Sequence, residues 1–293
     1  MNGMEKRTLN KTLLLTLFAA ASFLILGTNE ARAIDVCGNG ICATTAVPPE
    51  SCSTCPADCG VCPPPPIPPI YVVNMIPFAQ SGETGQDSEP NLSVNPNNTQ
   101  MIAGSAFTVN PTGSTSTAPI YISTNGGTTW TMNNIVPSGN GSTGDITLRF
   151  GTTTNTLYAG TLRGGSSLTL NILRTTNATS TTQMTLLRSR TQIDQPWVEA
   201  RTFSGADRVY VGLNDFGVTD RRTATIDRTL SGTVSTPSFT TLRLERRNPC
   251  NQDGPPIRTV VHPDGTTYSI FYRYSTCTSP FTTDVVVVRD NNG

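Results

Sequence analysis

The chain has 293 residues, of which 14% are charged and 36% hydrophobic, with 20 Lys+Arg set against 20 Asp+Glu. That length can bury a core of one or two domains, and a balance this close to neutral excludes an electrostatic case for nucleic acid or an anionic membrane surface. Thr, Ser, Asn, Gly and Pro are abundant, a composition that favours short strands joined by turns over helices, so all-β is the expected class.

Residues 1–33 have the layout of a secretory signal. A basic start (Lys6, Arg7, Lys11) precedes an apolar run from Leu13 to Leu26, and Ala31-Arg32-Ala33 follows as a cleavage site. The run is too short to span a bilayer comfortably. The expected product is therefore secreted or displayed at the cell surface through the general secretory pathway, with no membrane span after cleavage. Losing Lys6, Arg7, Lys11 and Arg32 together with Glu5 and Glu30 from the 20 of each sign leaves 16 positive and 18 negative groups, a formal charge of −2 with no lysine.

Eight cysteines in an exported chain read as disulfides. Cys37, Cys42, Cys52, Cys55, Cys59 and Cys62 fall within residues 34–62, a unit too small to fold on its apolar core alone. They are expected to bridge among themselves, with the connectivity left open. Cys52-x2-Cys55 and Cys59-x2-Cys62 also have thiolate spacing for zinc, but oxidation on export and the closeness of the two pairs argue for bridges and no metal. The segment resembles small CGNGxC modules at the ends of bacterial surface proteins. Glu50 and Asp58 match the acidic positions of that pattern, as Ca²⁺ ligands or as mere solvating groups. No other cofactor is implied. Residues 63–70, dominated by proline, form a semi-rigid polyproline II linker and set a domain boundary.

From Tyr71 to Gly293 two units alternate. One is a strand, a polar turn and a second strand: Pro90–Asn98 leading to Met101–Gly104, Ile146–Phe150 to Leu157–Gly160, Pro196–Ala200 to Val209–Gly212, and Ile257–Gly265 to Tyr268–Phe271. The other is an Asn- or Asp-bearing turn around Asn125, Asn177, Asp227 and Asn291, which stand 52, 50 and 64 positions apart. A period of that size holding four short strands fits one propeller blade, whose sheet buries its faces only against its neighbours.

The best-preserved of these turns is Ser123-Thr124-Asn125-Gly126-Gly127-Thr128-Thr129-Trp130. It resembles the Asp box (bacterial neuraminidase repeat) of sialidase-like β-propellers, with Asn125 where the family usually has Asp. The resemblance implies that Ser123, Asn125, Gly127, Thr129 and Trp130 are a structural clasp at the blade periphery, with the Trp wedged between adjacent sheets. The expected fold is a β-propeller of about four four-stranded blades. Because the chain stops inside the fourth turn, the ring is expected to be incomplete, with an exposed blade edge available for self-association.

Cys250 and Cys277 lie equidistant from a point between Pro263 and Asp264, the expected hairpin turn, so they are expected to face each other and form a bridge.

Propeller ligands sit at the channel mouth, near the starts of the innermost strands. By position the candidates are Asp87, Glu89, Asp145, Arg149, Asp194, Trp197, Asp253 and Arg258. Glu89, Asp145 and Trp197 are read as ligand-binding residues. The sialidase-like resemblance implies an Arg cluster for a substrate carboxylate, since guanidinium forks hold carboxylates bidentately, and an Asp acid/base; Arg149 and Arg258 are the candidates for the cluster and Asp194 for the acid. A sialidase-type site also needs a Tyr nucleophile paired with Glu, from late blades that the chain lacks, and the family's Arg-Ile-Pro motif is absent. The single histidine, His262, sits in a Pro-Asp-Gly turn and supports no His-based site. Two functions remain: recognition of a glycan or a cell-surface protein by a non-catalytic propeller, or a fragment of an exo-sialidase-type glycoside hydrolase.

Overall fold

The computed structural model describes residues 37–45, 48–64, 70–81, 88–108, 113–164, 168–217, 223–244, 257–276, 278–280 and 282–292. The expected signal segment, residues 65–69 of the linker, Asp87, Asp253 and both Cys250 and Cys277 lie outside them. The chain divides after Ile70 into two units. No helix among the described residues is long and apolar enough to cross a membrane.

The first unit is held by three disulfides, Cys37–Cys55, Cys42–Cys59 and Cys52–Cys62. All six sulfurs are thus spent on bridges and the zinc alternative falls away. The acidic positions serve the backbone: Asp58 accepts the N–H groups of Gly38, Asn39 and Gly40, and Glu50 accepts that of Ala43. Burial works to raise the Asp58 pKa, but those three backbone donors outweigh it and hold the carboxyl below its ordinary value.

The second unit is built of antiparallel meanders in chain order. Sheet one comprises β1 (Ser88–Val94), β2 (Ile102–Phe107), β3 (Ile120–Ser123) and β4 (Thr131–Asn133). Sheet two comprises β5 (Thr143–Phe150), β6 (Leu157–Arg163), β7 (Thr169–Thr175) and β8 (Thr185–Thr191). Sheet three comprises β9 (Ile193–Phe203), β10 (Ala206–Asp215), β11 (Thr223–Thr229) and β12 (Thr240–Arg243). Sheet four has three strands among the described residues, β13 (Arg258–Val261), β14 (Thr267–Thr276) and β15 (Thr282–Asp290). This is the stacked-blade arrangement of a β-propeller.

Alternation along each strand gives each sheet two apolar faces, and successive sheets share them. Ile120 and Ile122 of sheet one meet Leu148, Phe150 and Leu157 of sheet two. Leu162 and Ile172 of sheet two meet Val198, Val209 and Val211 of sheet three. Tyr210 and Ile226 of sheet three meet Val261 and Phe271 of sheet four. Each such fully buried aliphatic side chain contributes about 2 kcal/mol. The far face of sheet four leaves Val260, Ile270, Tyr272, Val285 and Val287 exposed.

The first strands of successive sheets lie side by side and are joined through hydrogen bonds. The Asn91 Oδ1 accepts the Leu148 N–H at 2.7 Å, Ser93 Oγ accepts that of Phe150 at 3.0 Å, and Thr147 Oγ1 accepts that of Val198 at 2.9 Å. Two glycines mark where the second strand of a sheet comes equally close to the start of the next sheet: Gly160 on β6 and Gly212 on β10. A Cβ on Gly160 would stand 2.9 Å from Val198 Cγ2, and one on Gly212 would stand 1.9 Å from the Ile257 carbonyl oxygen.

Three expectations about turns need correction. Thr225–Arg228 is not a turn but the middle of β11, and Asp227 is completely buried there. Trp130 does not wedge between adjacent sheets: it packs beside Met75, Met132 and Tyr121 on the face of sheet one away from sheet two. The β13–β14 hairpin pairs Val261 with Thr267, so it centres on Asp264 itself and not between Pro263 and Asp264. In that turn His262 Nδ1 lies 2.9 Å from Asp264 Oδ1, and the Thr266 N–H, followed by His262, holds the Asp264 pKa down to about 2.

The Asn125 turn closes on itself as its residue types require. Ser123 Oγ accepts the Gly127 N–H at 2.9 Å, Asn125 Oδ1 accepts that of Thr129 at 2.9 Å, and Trp130 Nε1 donates to the Gly127 carbonyl at 3.0 Å. Gly126 and Gly127 take φ of 68° and 88°, the left-handed region open to glycine.

Two tyrosines at matching positions differ sharply. Tyr158, paired with Arg149, donates its hydroxyl to Asp207 Oδ2 at 2.8 Å. The same fully buried carboxylate takes the hydroxyls of Thr154 and Thr202 at 2.7 and 2.6 Å. Tyr210, paired with Glu199 one sheet later, has a buried hydroxyl with no partner among the described residues. Tyr158→Phe is therefore expected to cost about 1–3 kcal/mol, while Tyr210→Phe stays within about 0.5 kcal/mol of the parent or gains stability. Urea unfolding of both variants measures this, and equal losses would contradict it.

Candidate functional site

The first strands of sheets one, two and three each carry a β-bulge near their beginning: between Ser88 and Asn91, between Thr143 and Ile146, and opposite Gly212–Asn214 in β9. A bulge inserts a residue, bends the strand and re-aims its side chains. Glu89 and Gln195 both take φ of 50°, uncommon for non-glycine residues and typical of backbone held in place by its surroundings. Asp194 supports the third bulge by accepting the Gln195 N–H at 2.9 Å.

These bulges and the start of β13 converge on one cavity of about 280 Å³. Its wall includes Glu89, Asp145, Thr147, Gln195, Trp197 and Arg258. Four residues singled out in the sequence, Glu89, Asp145, Trp197 and Arg258, thus meet although they are spread over 170 positions, from 89 to 258. The volume stands at the lower edge of the roughly 300–1,000 Å³ usual for small-molecule sites and is enough for a single sugar ring.

Trp197 and Arg258 act as a pair. The guanidinium carbon stands 4.1 Å from the indole centroid, a cation–π stack that fixes the ring plane. The indole Nε1–H is buried and meets no acceptor among the described residues.

Arg149 and Asp194 do not line the cavity. Arg149 Nε lies 3.1 Å from Glu199 Oε2, two residues along β9 from Trp197. Burial holds the Glu199 carboxyl above its ordinary pKa, and the charges of Arg149 and then Arg201 offset only part of that rise. Thr147 lines the cavity but is not legible in the sequence as a site residue; its one signal there is an alternation that places it on the same strand face as Arg149. The pair closest in type to a Tyr nucleophile with a carboxylate, Tyr158 and Asp207, is buried between sheets two and three. Burial and the Asp207 charge push the phenol pKa up, the direction opposite to nucleophilic activation.

No protein-family model matches the chain, and no curated protein does. The fold does match solved structures. A family GH93 α-L-arabinofuranosidase of Fusarium graminearum in complex with arabinobiose aligns with TM-score 0.53 at 10% identity, covering 74% of this chain and 65% of that one. An α-L-arabinofuranosidase of the same organism, with an iminosugar inhibitor, aligns with TM-score 0.50 at 11% identity, covering 71% and 64%. The chain thus spans a little less than two thirds of the length of these structures, and at such identities the likeness is one of fold.

Proposed function

We propose that the cavity binds one sugar residue of a glycan, and that the chain recognises this sugar without cleaving it. The observation that carries the reading is the meeting of Trp197, Glu89, Asp145 and Arg258 on one small cavity at the starts of the inner strands. An indole offers the C–H face of a sugar an apolar, polarisable surface, while carboxylates and a guanidinium take its hydroxyls. The fold agreement with arabinofuranosidases, one of them holding arabinobiose, supports carbohydrate as the ligand class. The sialidase-type resemblance of the Ser123–Trp130 turn supports the same class and not a particular sugar.

The protein is expected to bind glycans on an array, and Trp197→Ala to lower the affinity for the best of them by about tenfold or more, as the loss of one stacked ring implies. Isothermal titration with the parent and the variant measures this. An unchanged affinity in Trp197→Ala, or a parent that binds no glycan, would overturn the proposal. Hydrolysis of an aryl glycoside that is lost in Glu89→Gln or Asp145→Asn would replace it with an enzymatic one.

A further inference from the structure

The residues of β1, β5 and β9 that pair with Ser105, Gly160 and Gly212 are Asn91, Thr147 and Trp197. They occupy one level of the inner strands, beside the cavity. At this level each sheet reaches across to the next. Asn91 does so with its carbonyl oxygen, to the Leu148 N–H. Thr147 does so twice, because a hydroxyl both gives and takes: it accepts the Val198 N–H at 2.9 Å and lies 3.2 Å from the Pro196 carbonyl oxygen, to which it donates. Those two backbone groups flank Trp197. The indole itself has no acceptor to offer, and its step to sheet four is the stack against Arg258.

Packing holds the residues on either side of Trp197, but the bulge has an irregular hydrogen-bond ladder. Pro196 has no N–H to give a ladder, and the register with β10 jumps between Gly212 and Asn214. The Asp194 carboxylate accepts the Gln195 N–H, and the Thr147 hydroxyl bonds the backbone on both sides of Trp197. The sequence Gln195-Pro196-Trp197 therefore relies on a residue of the neighbouring sheet, 50 positions earlier, to set the indole plane.

We infer that Thr147 is the positioning residue of this site: its hydroxyl, bridging Pro196 and Val198, holds Trp197 where the cavity needs it. The inference rests on the proposed glycan reading for its consequence, but not for its geometry. Thr147→Val keeps the shape and removes both hydrogen bonds, whereas Thr147→Ser keeps them.

The test uses the full chain labelled with 5-fluorotryptophan. The sequence has two tryptophans, Trp130 and Trp197, so ¹⁹F NMR gives two signals, assigned through Trp197→Phe. In Thr147→Val the Trp197 signal is expected to shift or broaden while the Trp130 signal stays, which shows that sheet one remains folded. In Thr147→Ser both signals stay. Affinity for the glycan selected on the array is expected to fall about tenfold in Thr147→Val and to be retained in Thr147→Ser, the loss of two modest hydrogen bonds. A Trp197 signal that does not move in Thr147→Val overturns the inference whatever the binding shows. A moved signal with unchanged affinity overturns its link to recognition. A moved signal in a protein that binds no glycan leaves the positioning role standing and removes the glycan reading.

Discussion

Asp227→Ala is expected to lower the unfolding free energy by about 3–5 kcal/mol, because it breaks a buried ion pair on one side only. Asp227 is wholly buried on β11, with Oδ1 3.0 Å from Arg190 Nη1 and Oδ2 3.4 Å from Arg188 Nε. It also accepts the Thr241 hydroxyl at 2.8 Å. Arg190 is shared with Asp215, 2.7 Å from its Nη2, and Arg243 completes the group at 3.4 Å from the same carboxylate. Burial opposes the charge on Arg190, and Asp227 and Asp215 together outweigh it, so its pKa lies above the ordinary value. The network ties β8 of sheet two to β10, β11 and β12 of sheet three.

Without Asp227, Arg188 and Arg190 keep their charge in a half-desolvated setting with one carboxylate fewer. Asp227→Asn, which keeps an oxygen for Thr241 but loses the charge, is expected to fall between alanine and the parent. Urea unfolding followed by circular dichroism reads both, and an alanine cost under about 1 kcal/mol would show that solvent screens the network as it does surface pairs.

Gly212→Ala is expected to cost about 3 kcal/mol or more, beyond the usual range for one added methyl in a packed core. The glycine does not have a positive φ, so the cost is one of space and not of backbone strain. A Cβ there would lie 1.9 Å from the Ile257 carbonyl oxygen and 3.0 Å from its carbonyl carbon. Backbone cannot rotate away as a side chain does; the start of β13 must move. That movement carries Arg258 off Trp197, so binding of the proposed sugar ligand is expected to weaken together with stability. Gly160→Ala, at the matching position one sheet earlier, meets side-chain atoms of Val198 and Pro196 at 2.9 and 3.1 Å. It is expected to cost less, about 1–2 kcal/mol. Equal losses at the two positions, measured by thermal unfolding, would refute the distinction between backbone and side-chain obstruction.

Trp197 and Arg258 show how far the site could be read in advance. Each stands at the start of an apolar alternation, and placing strand starts at the channel mouth was enough to bring them together with Glu89 and Asp145. Arg149 fits the same positional rule and shares a strand face with Thr147, which lines the cavity, yet it stands two residues further along β5, where it meets Glu199 in an ion pair instead. Asp227 misled for a related reason. In sequence Thr225-Ile226-Asp227-Arg228 looks like a turn, but Asp227 is a strand residue because two arginines, Arg188 and Arg190, and the Thr241 hydroxyl, all from other strands, satisfy its charge in the interior.

What the sequence by itself determined was local: strands alternating at period two, turns where Asn, Gly and Pro demand them, six cysteines that must staple a unit without a core, and a repeat of about 50 residues that forces sheet to stack on sheet. These follow from contacts within a few positions along the chain, where residue type alone sets the preferred conformation. The tertiary structure alone decided which cysteine bridges which, that Thr147 grips the strand bearing Trp197, and that Asp207 takes the Tyr158 hydroxyl. All of these join residues that the chain separates by 10 to 51 positions. Their pairing depends on the register and approach of packed sheets, which a single strand's pattern does not contain.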